Sequence, residues 1–121
     1  MKIGQFIAEV RTTKDTVRHY ESLGLIKPYW ENKRRIYGKK EIHDFYAIRE
    51  MQALDMSLKE IQVMFEVKQN GGCASPELLD NVIKTLTEKK QLLITEEKTL
   101  KYKKMQITEI VTTLTQLNNT K

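Results

Sequence analysis

A mainly α fold in two parts is what this sequence predicts: a helix-turn-helix unit carrying a small β-wing, then one long dimerisation helix that forms an antiparallel coiled coil. Three observations predict it. Apolar residues recur at helical spacing from Ile3 to Phe65, interrupted by an extended stretch around Pro28. Basic residues crowd the first third of the chain. Beyond Gly71 and Gly72, Leu79, Leu86, Leu93, Leu100, Ile107 and Leu114 recur every seven residues. The two parts are therefore expected to divide as residues 1–70 and 71–121.

Ile3, Phe6, Ile7 and Val10 predict a short first helix over 4–10 whose apolar side faces a second helix. The second helix opens at Thr12 or Thr13, either of which can cap it. Lys14 and Arg18 lie four apart on one face and Val17 and Tyr20 on the other; Gly24 ends it. Proline disfavours helix at the residue before it and lacks an amide hydrogen, so Leu25-Ile26-Lys27-Pro28 must leave the helix extended. Tyr29-Trp30 and Arg35 to Tyr37 then read as two wing strands around a polar tip of Glu31 to Arg34.

Ile42, Phe45, Ile48 and Met51 place a third helix over 40–54, with a turn at Asp55. The fourth has a capping box, Ser57 with Glu60, and a hydrophobic staple of Met56 on Ile61; it is expected to run through Phe65 and end near Asn70. Past the glycine joint, Ser75 can cap the long helix with Pro76 at its first position.

The charge is unevenly placed. Residues 1–40 hold ten Lys and Arg against four Asp and Glu, whereas from 41 onward the balance is eleven against twelve. A solvated surface would scatter the excess; a footprint for phosphates concentrates it on the binding helix. The basic helix with Lys14 and Arg18, followed by a second cluster at Lys33, Arg34 and Arg35, forms two prongs suited to adjacent grooves of DNA. Trp30 packs beneath the wing as core in the preferred reading, and meets a sugar or partner strand in the other. His43 reads as an ordinary surface residue.

In the long helix the alternate core positions are Val82, Lys89, Glu96, Lys103, Ile110 and Leu117, apolar at the ends and charged in the middle. A parallel pair would stack each charge on its own copy. An antiparallel pair sets them against leucines, along which lysine stems can lie.

Several stretches carry a resemblance to a known family: Ile3-Gly4, Thr16-Val17-Arg18-His19-Tyr20-Glu21, Gly24-Leu25-Ile26-Lys27-Pro28, Arg35-Ile36-Tyr37 and Met56-Ser57-Leu58-Lys59-Glu60-Ile61. In these motifs residues 2–68 resemble the MerR (mercury-resistance-regulator) family of bacterial transcription regulators. The resemblance implies a winged helix-turn-helix homodimer on palindromic promoter DNA, distorting the promoter spacer so that RNA polymerase can engage both promoter elements. It implies DNA contacts at Lys14, Arg18 and His19 of the second helix and at Arg35 and Tyr37 of the wing. The chain departs from the family twice: Arg11 and Lys33 stand where glycine is usual, and Asn32 is expected to take over the wing turn.

One cysteine, Cys73, excludes an internal disulfide, and the two histidines have no metal spacing. A reducing cytoplasmic location is expected, with no signal peptide or membrane span. Cys73 follows the glycine joint, where oxidation or alkylation of a lone thiol is one reading and an inert side chain the preferred one. A thiol-bound metal would need partners that the residues after the helix do not supply, so no metal or other cofactor is expected. No nucleophile and base, phosphate loop or paired carboxylates point to an enzyme. The alternative function is an architectural or excisionase-like coiled-coil protein that binds DNA without activating transcription.

Overall fold

The computed structural model describes residues 1–69 and 75–120. The Asn70-Gly71-Gly72 joint and Cys73 lie outside the described residues. Five helices, α1 (Ile3–Val10), α2 (Lys14–Ser22), α3 (Lys39–Ala53), α4 (Leu58–Gln69) and α5 (Pro76–Asn119), and two strands, β1 (Tyr29–Glu31) and β2 (Arg34–Ile36), follow one another as α1-α2-β1-β2-α3-α4-α5. The chain forms two compact units, Met1–Leu79 and Asp80–Lys121.

In the first unit, the starts of α2, α3 and α4 each have a local cause. Thr13 caps α2, its hydroxyl accepting from the Thr16 amide at 3.2 Å. The α3 start uses half of a capping box: the Gly38 amide donates to Glu41 Oε2 at 2.8 Å, and glycine has no side chain to reciprocate. The full box occurs at α4, where the Ser57 amide reaches Glu60 Oε1 at 2.8 Å and the Glu60 amide reaches Ser57 Oγ at 3.1 Å. Met56 and Ile61, the expected staple, are both buried. Helix α2 closes with Gly24 at φ +74°, a conformation that glycine adopts without a Cβ clash.

The core is aromatic at its centre. Phe6 stacks on Tyr37 with ring centroids 4.7 Å apart and meets Phe45 edge-on at 6.0 Å, while Tyr20 lies 5.7 Å from Phe45. Val10, Val17, Leu25, Ile26, Ile48 and Ile61 fill the space around them, each almost without exposure. Polar ties lock the helices together. Arg49 Nη2 donates to the Arg11 carbonyl at 2.6 Å, Tyr20 Oη to Gln52 Oε1 at 3.1 Å, and Gln62 Nε2 to the Leu23 carbonyl at 2.9 Å.

The wing differs from the expected one. Tyr29 pairs with Ile36, Trp30 with Arg35 and Glu31 with Arg34, antiparallel, so the turn is two residues long rather than four. Asn32 and Lys33 both take positive φ, 49° and 64°, which suits the right-handed twist of a tight hairpin. Asn32 therefore shares the wing turn with Lys33 instead of taking it over alone. Tyr37, expected in the second strand, lies beyond it, and its amide donates to the Met1 carbonyl at 2.7 Å.

The second unit consists of α5, 44 residues from Pro76, of which all but the first turn belong to it. At 1.5 Å per residue this helix is about 66 Å long. Its many β-branched threonines keep to the helix by donating back to carbonyls four residues earlier, as Thr95 does to Gln91 and Thr112 to Thr108. Leu93, Leu100, Ile107, Ile110, Leu114 and Leu117, all at the two sets of heptad core positions, are between 58 and 65 % exposed. Among the described residues, no helix is long and apolar enough to cross a membrane.

Both departures from the family's glycines fall where the backbone is left-handed: Arg11 has φ 55° and ψ 60°, Lys33 φ 64°. A side chain there is penalised by roughly 1 to 2 kcal/mol, and the flexibility that glycine restores to the unfolded chain offsets about 0.5 to 1 kcal/mol of the relief. Arg11→Gly and Lys33→Gly are each expected to stabilise the fold, raising the free energy of unfolding by about 0.5 to 1 kcal/mol, read from urea unfolding. A lower midpoint in either variant contradicts this.

Candidate nucleic-acid interface

Three parts of the first unit converge on one open groove. Lys2 comes from the segment before α1, Arg18 from α2, and Trp30, Lys33, Arg34 and Arg35 from the wing; together with Ile3 they line it. The cations are held in place. The Arg35 guanidinium sits 4.8 Å over the Trp30 ring, a cation–π contact that orients it while part of its surface stays in water. Arg18 Nη1 lies 3.4 Å from Glu21 Oε2 one helical turn on, and Arg35 Nε lies 3.7 Å from Glu21 Oε1. The two arginines, 37 and 39 % exposed at the side chain, thus share a carboxylate that is itself only 12 % exposed.

Lys14 and His19 are exposed on α2. They lie outside the groove, as does exposed His43, and Arg34 within it is exposed at the wing tip.

Two aromatic assignments reverse. Tyr37, assigned through the resemblance to the wing's DNA contacts, is fully buried: its ring stacks on Phe6, and its hydroxyl donates to Glu21 Oε1 at 2.5 Å. Its side chain offers DNA no surface in this conformation, and it acts on the groove from behind, through Glu21. Trp30, preferred as core, is 62 % exposed and forms a wall of the groove. Past β2 the Tyr37 amide is tied to the Met1 carbonyl and its ring to Phe6, which holds it inward, whereas Trp30 lies on β1, all three residues of which are exposed.

Lys2, which lines the groove, and Glu21, which contacts its arginines, are the residues of the interface that sequence reasoning did not single out. Lys2 entered only as part of the charge excess. Glu21 had a readable signal, an acidic residue three positions after Arg18 on a helix, the spacing of an intrahelical ion pair. Its other two partners lie across the fold and leave no local trace.

Burial pushes the Tyr37 hydroxyl well above its ordinary pKa of 10.0. The hydrogen bond to Glu21 and that carboxylate's charge push it the same way, against the opposing pull of Arg18 and Arg35. The unfolded chain releases this proton first, so the contribution of the raised pKa to stability is intact below about pH 10 and is lost as pH rises above it. Urea midpoints measured across that range should fall more steeply for the native sequence than for Tyr37→Phe. Parallel curves would show that the buried hydroxyl carries no such linkage.

With this geometry in view, comparison with known proteins is specific. The profile of the MerR HTH family of regulatory proteins matches residues 1–68. The mercuric resistance operon regulatory protein of Bacillus cereus is 31% identical over 68 residues, 54% of this chain and 52% of its own length. The chain thus spans about half the length of that curated relative. Among solved structures, the transcription regulator PbrR691 from Ralstonia metallidurans CH34, in complex with lead(II), matches with a TM-score of 0.58 at 28% identity, covering 83% of this chain and 81% of that one. Architecture and family profile coincide on the unit that carries the groove, and the chain belongs to the MerR family of helix-turn-helix transcription regulators.

Proposed function

We propose that the chain acts as a homodimer on a palindromic promoter operator, with α2 as recognition helix and the wing as second prong, and distorts the promoter spacer so that RNA polymerase engages both promoter elements. The observation that carries the DNA-binding part is the groove, where four arginines and lysines from α2 and the wing, with Lys2 beside them, face one open surface. Arg18, Arg34 and Arg35 serve as phosphate or base contacts, and Lys14 and His19 extend the same helix toward the duplex. Spacer distortion and the polymerase partner are carried over from family membership.

The exposed face of α5 supports the second copy. Fully burying a leucine contributes roughly 1.5 to 3 kcal/mol, so a stripe of this length left in water favours association. One antiparallel register leaves no core position unmatched. Leu79 faces Leu117 of the partner subunit, Leu86 faces Ile110 of the partner subunit, and Leu114 faces Val82 of the partner subunit, a position already only 7 % exposed within one chain. In the middle, Leu93 meets Lys103 of the partner subunit, Leu100 meets Glu96 of the partner subunit and Ile107 meets Lys89 of the partner subunit. The two-fold axis then passes Lys98, near the midpoint of the Pro76–Asn119 helix. Every charged core position is set against an aliphatic one, which a parallel pair cannot achieve.

Two measurements test the proposal. For DNA selected by the native chain from random fragments, Lys14→Ala and Arg34→Ala should each shallow the slope of log affinity against log salt by about 0.9 if each removes one phosphate contact. Unchanged slopes would remove these residues from the interface. In a Cys73→Ser background, a chain with Leu79→Cys and Leu117→Cys should cross-link 79 to 117 between subunits; cross-links of 79 to 79 would contradict the antiparallel register.

A further inference from the structure

Against the groove's cations, where DNA binding calls for positive charge, lies the mostly buried carboxylate of Glu21, in contact with two of the lining arginines. We propose that Glu21 is the positioning residue of this interface: a built-in counter-ion that sets the spacing between Arg18 and Arg35 and lowers the groove's attraction for unmatched DNA. This rests on the DNA-binding reading above and adds to it a source of specificity that contacts no base.

The carboxylate is divided between three partners, one on α2, one on β2 and one just past β2. Oε2 faces Arg18 Nη1 at 3.4 Å, and Oε1 both accepts from Tyr37 Oη at 2.5 Å and lies 3.7 Å from Arg35 Nε. Its position is set from the core, because Tyr37 is fully buried and stacked on Phe6. Each guanidinium has five N–H donors in a rigid fork and turns one toward Glu21, leaving the rest of the fork for a duplex. The carboxylate thus fixes where two cations from different elements stand, while cancelling part of their summed charge. DNA whose phosphates or base edges match that spacing can engage both arginines. DNA that does not match meets a groove with one positive charge fewer than its arginines and lysines supply.

Charge and position can be separated by substitution. Glu21→Gln keeps the length of the side chain and an oxygen for the Tyr37 hydroxyl but deletes the charge. Glu21→Asp keeps the charge and shortens the reach by one methylene. DNA is first selected from random fragments with the native chain, and the affinities of each variant for the selected DNA and for a scrambled duplex of equal length are then compared at one salt concentration. Glu21→Gln is expected to bind the scrambled duplex several-fold more tightly and to lower the ratio of specific to non-specific affinity by about tenfold, the size of one weak specific contact. Glu21→Asp should lower the same ratio without the non-specific gain, and it carries the test if Glu21→Gln does not fold. A ratio equal to the native one in the folded variants overturns the proposal, as does an equal loss for both duplexes, which is the mark of a merely structural role. If the native chain selects no sequence at all, the DNA-binding reading falls first and the proposal with it, a result distinct from either of these.

Discussion

The carboxylate of Glu21 between Arg18, Arg35 and the Tyr37 hydroxyl is the contact on which the candidate binding surface depends. It joins a helix to a wing that otherwise shares little apolar surface with it, since all three residues of β1 are exposed. The chain of cause runs inward. Glu21 is held by Tyr37, Tyr37 by its stack on Phe6, and Phe6 by the edge of Phe45 at the centre of the core. It also runs outward, through Arg35 to the exposed ring of Trp30. A buried ion pair alone is weak evidence of stability, because desolvation opposes the Coulomb attraction. The arrangement here keeps both arginines part-exposed and gives the carboxylate a neutral donor, so its yield is geometry more than folding energy.

Much of this unit was legible in the sequence where the governing interaction is local. The capping box of Ser57 and Glu60, the threonine cap of α2 and the glycine at its end are decided within four residues, and each stands where the pattern placed it. The wing was not legible to the same degree. Shortening the turn from four residues to two adds the Glu31–Arg34 pair and keeps Trp30 opposite Arg35, so the register alone does not say which of Trp30 and Tyr37 is buried. The residue types announce only half of the turn: Asn32 is a fair candidate for positive φ, and Lys33 is a poor one. Glu21 was hidden for another reason: its meaning lies in Tyr37, sixteen positions away, and in Arg35 across the fold.

The long helix raises the opposite issue, a pattern plain in sequence that one chain cannot satisfy by itself. Its heptad leucines face water at about three-fifths of their full exposure over most of the helix. In the proposed pair, the charged positions Glu96 and Lys103 among them would weaken the seam and in return restrict which pairing is acceptable, a known use of polar residues at coiled-coil core positions. In the proposed reading, DNA binding and self-association fall on different stretches of chain, one compact and aromatic, the other extended and aliphatic.

The central claim is that recognition helix and wing act as one device through a shared carboxylate. A double-mutant cycle tests it most directly: affinities of the native chain, Arg18→Ala, Arg35→Ala and the double variant for selected DNA, with thermal unfolding confirming that all four are folded. If Glu21 couples the two arginines, their losses should depart from additivity by about 1 kcal/mol or more, as contacting residues of one network do. Losses that add to within about 0.3 to 0.5 kcal/mol, as for independent sites, would contradict the account.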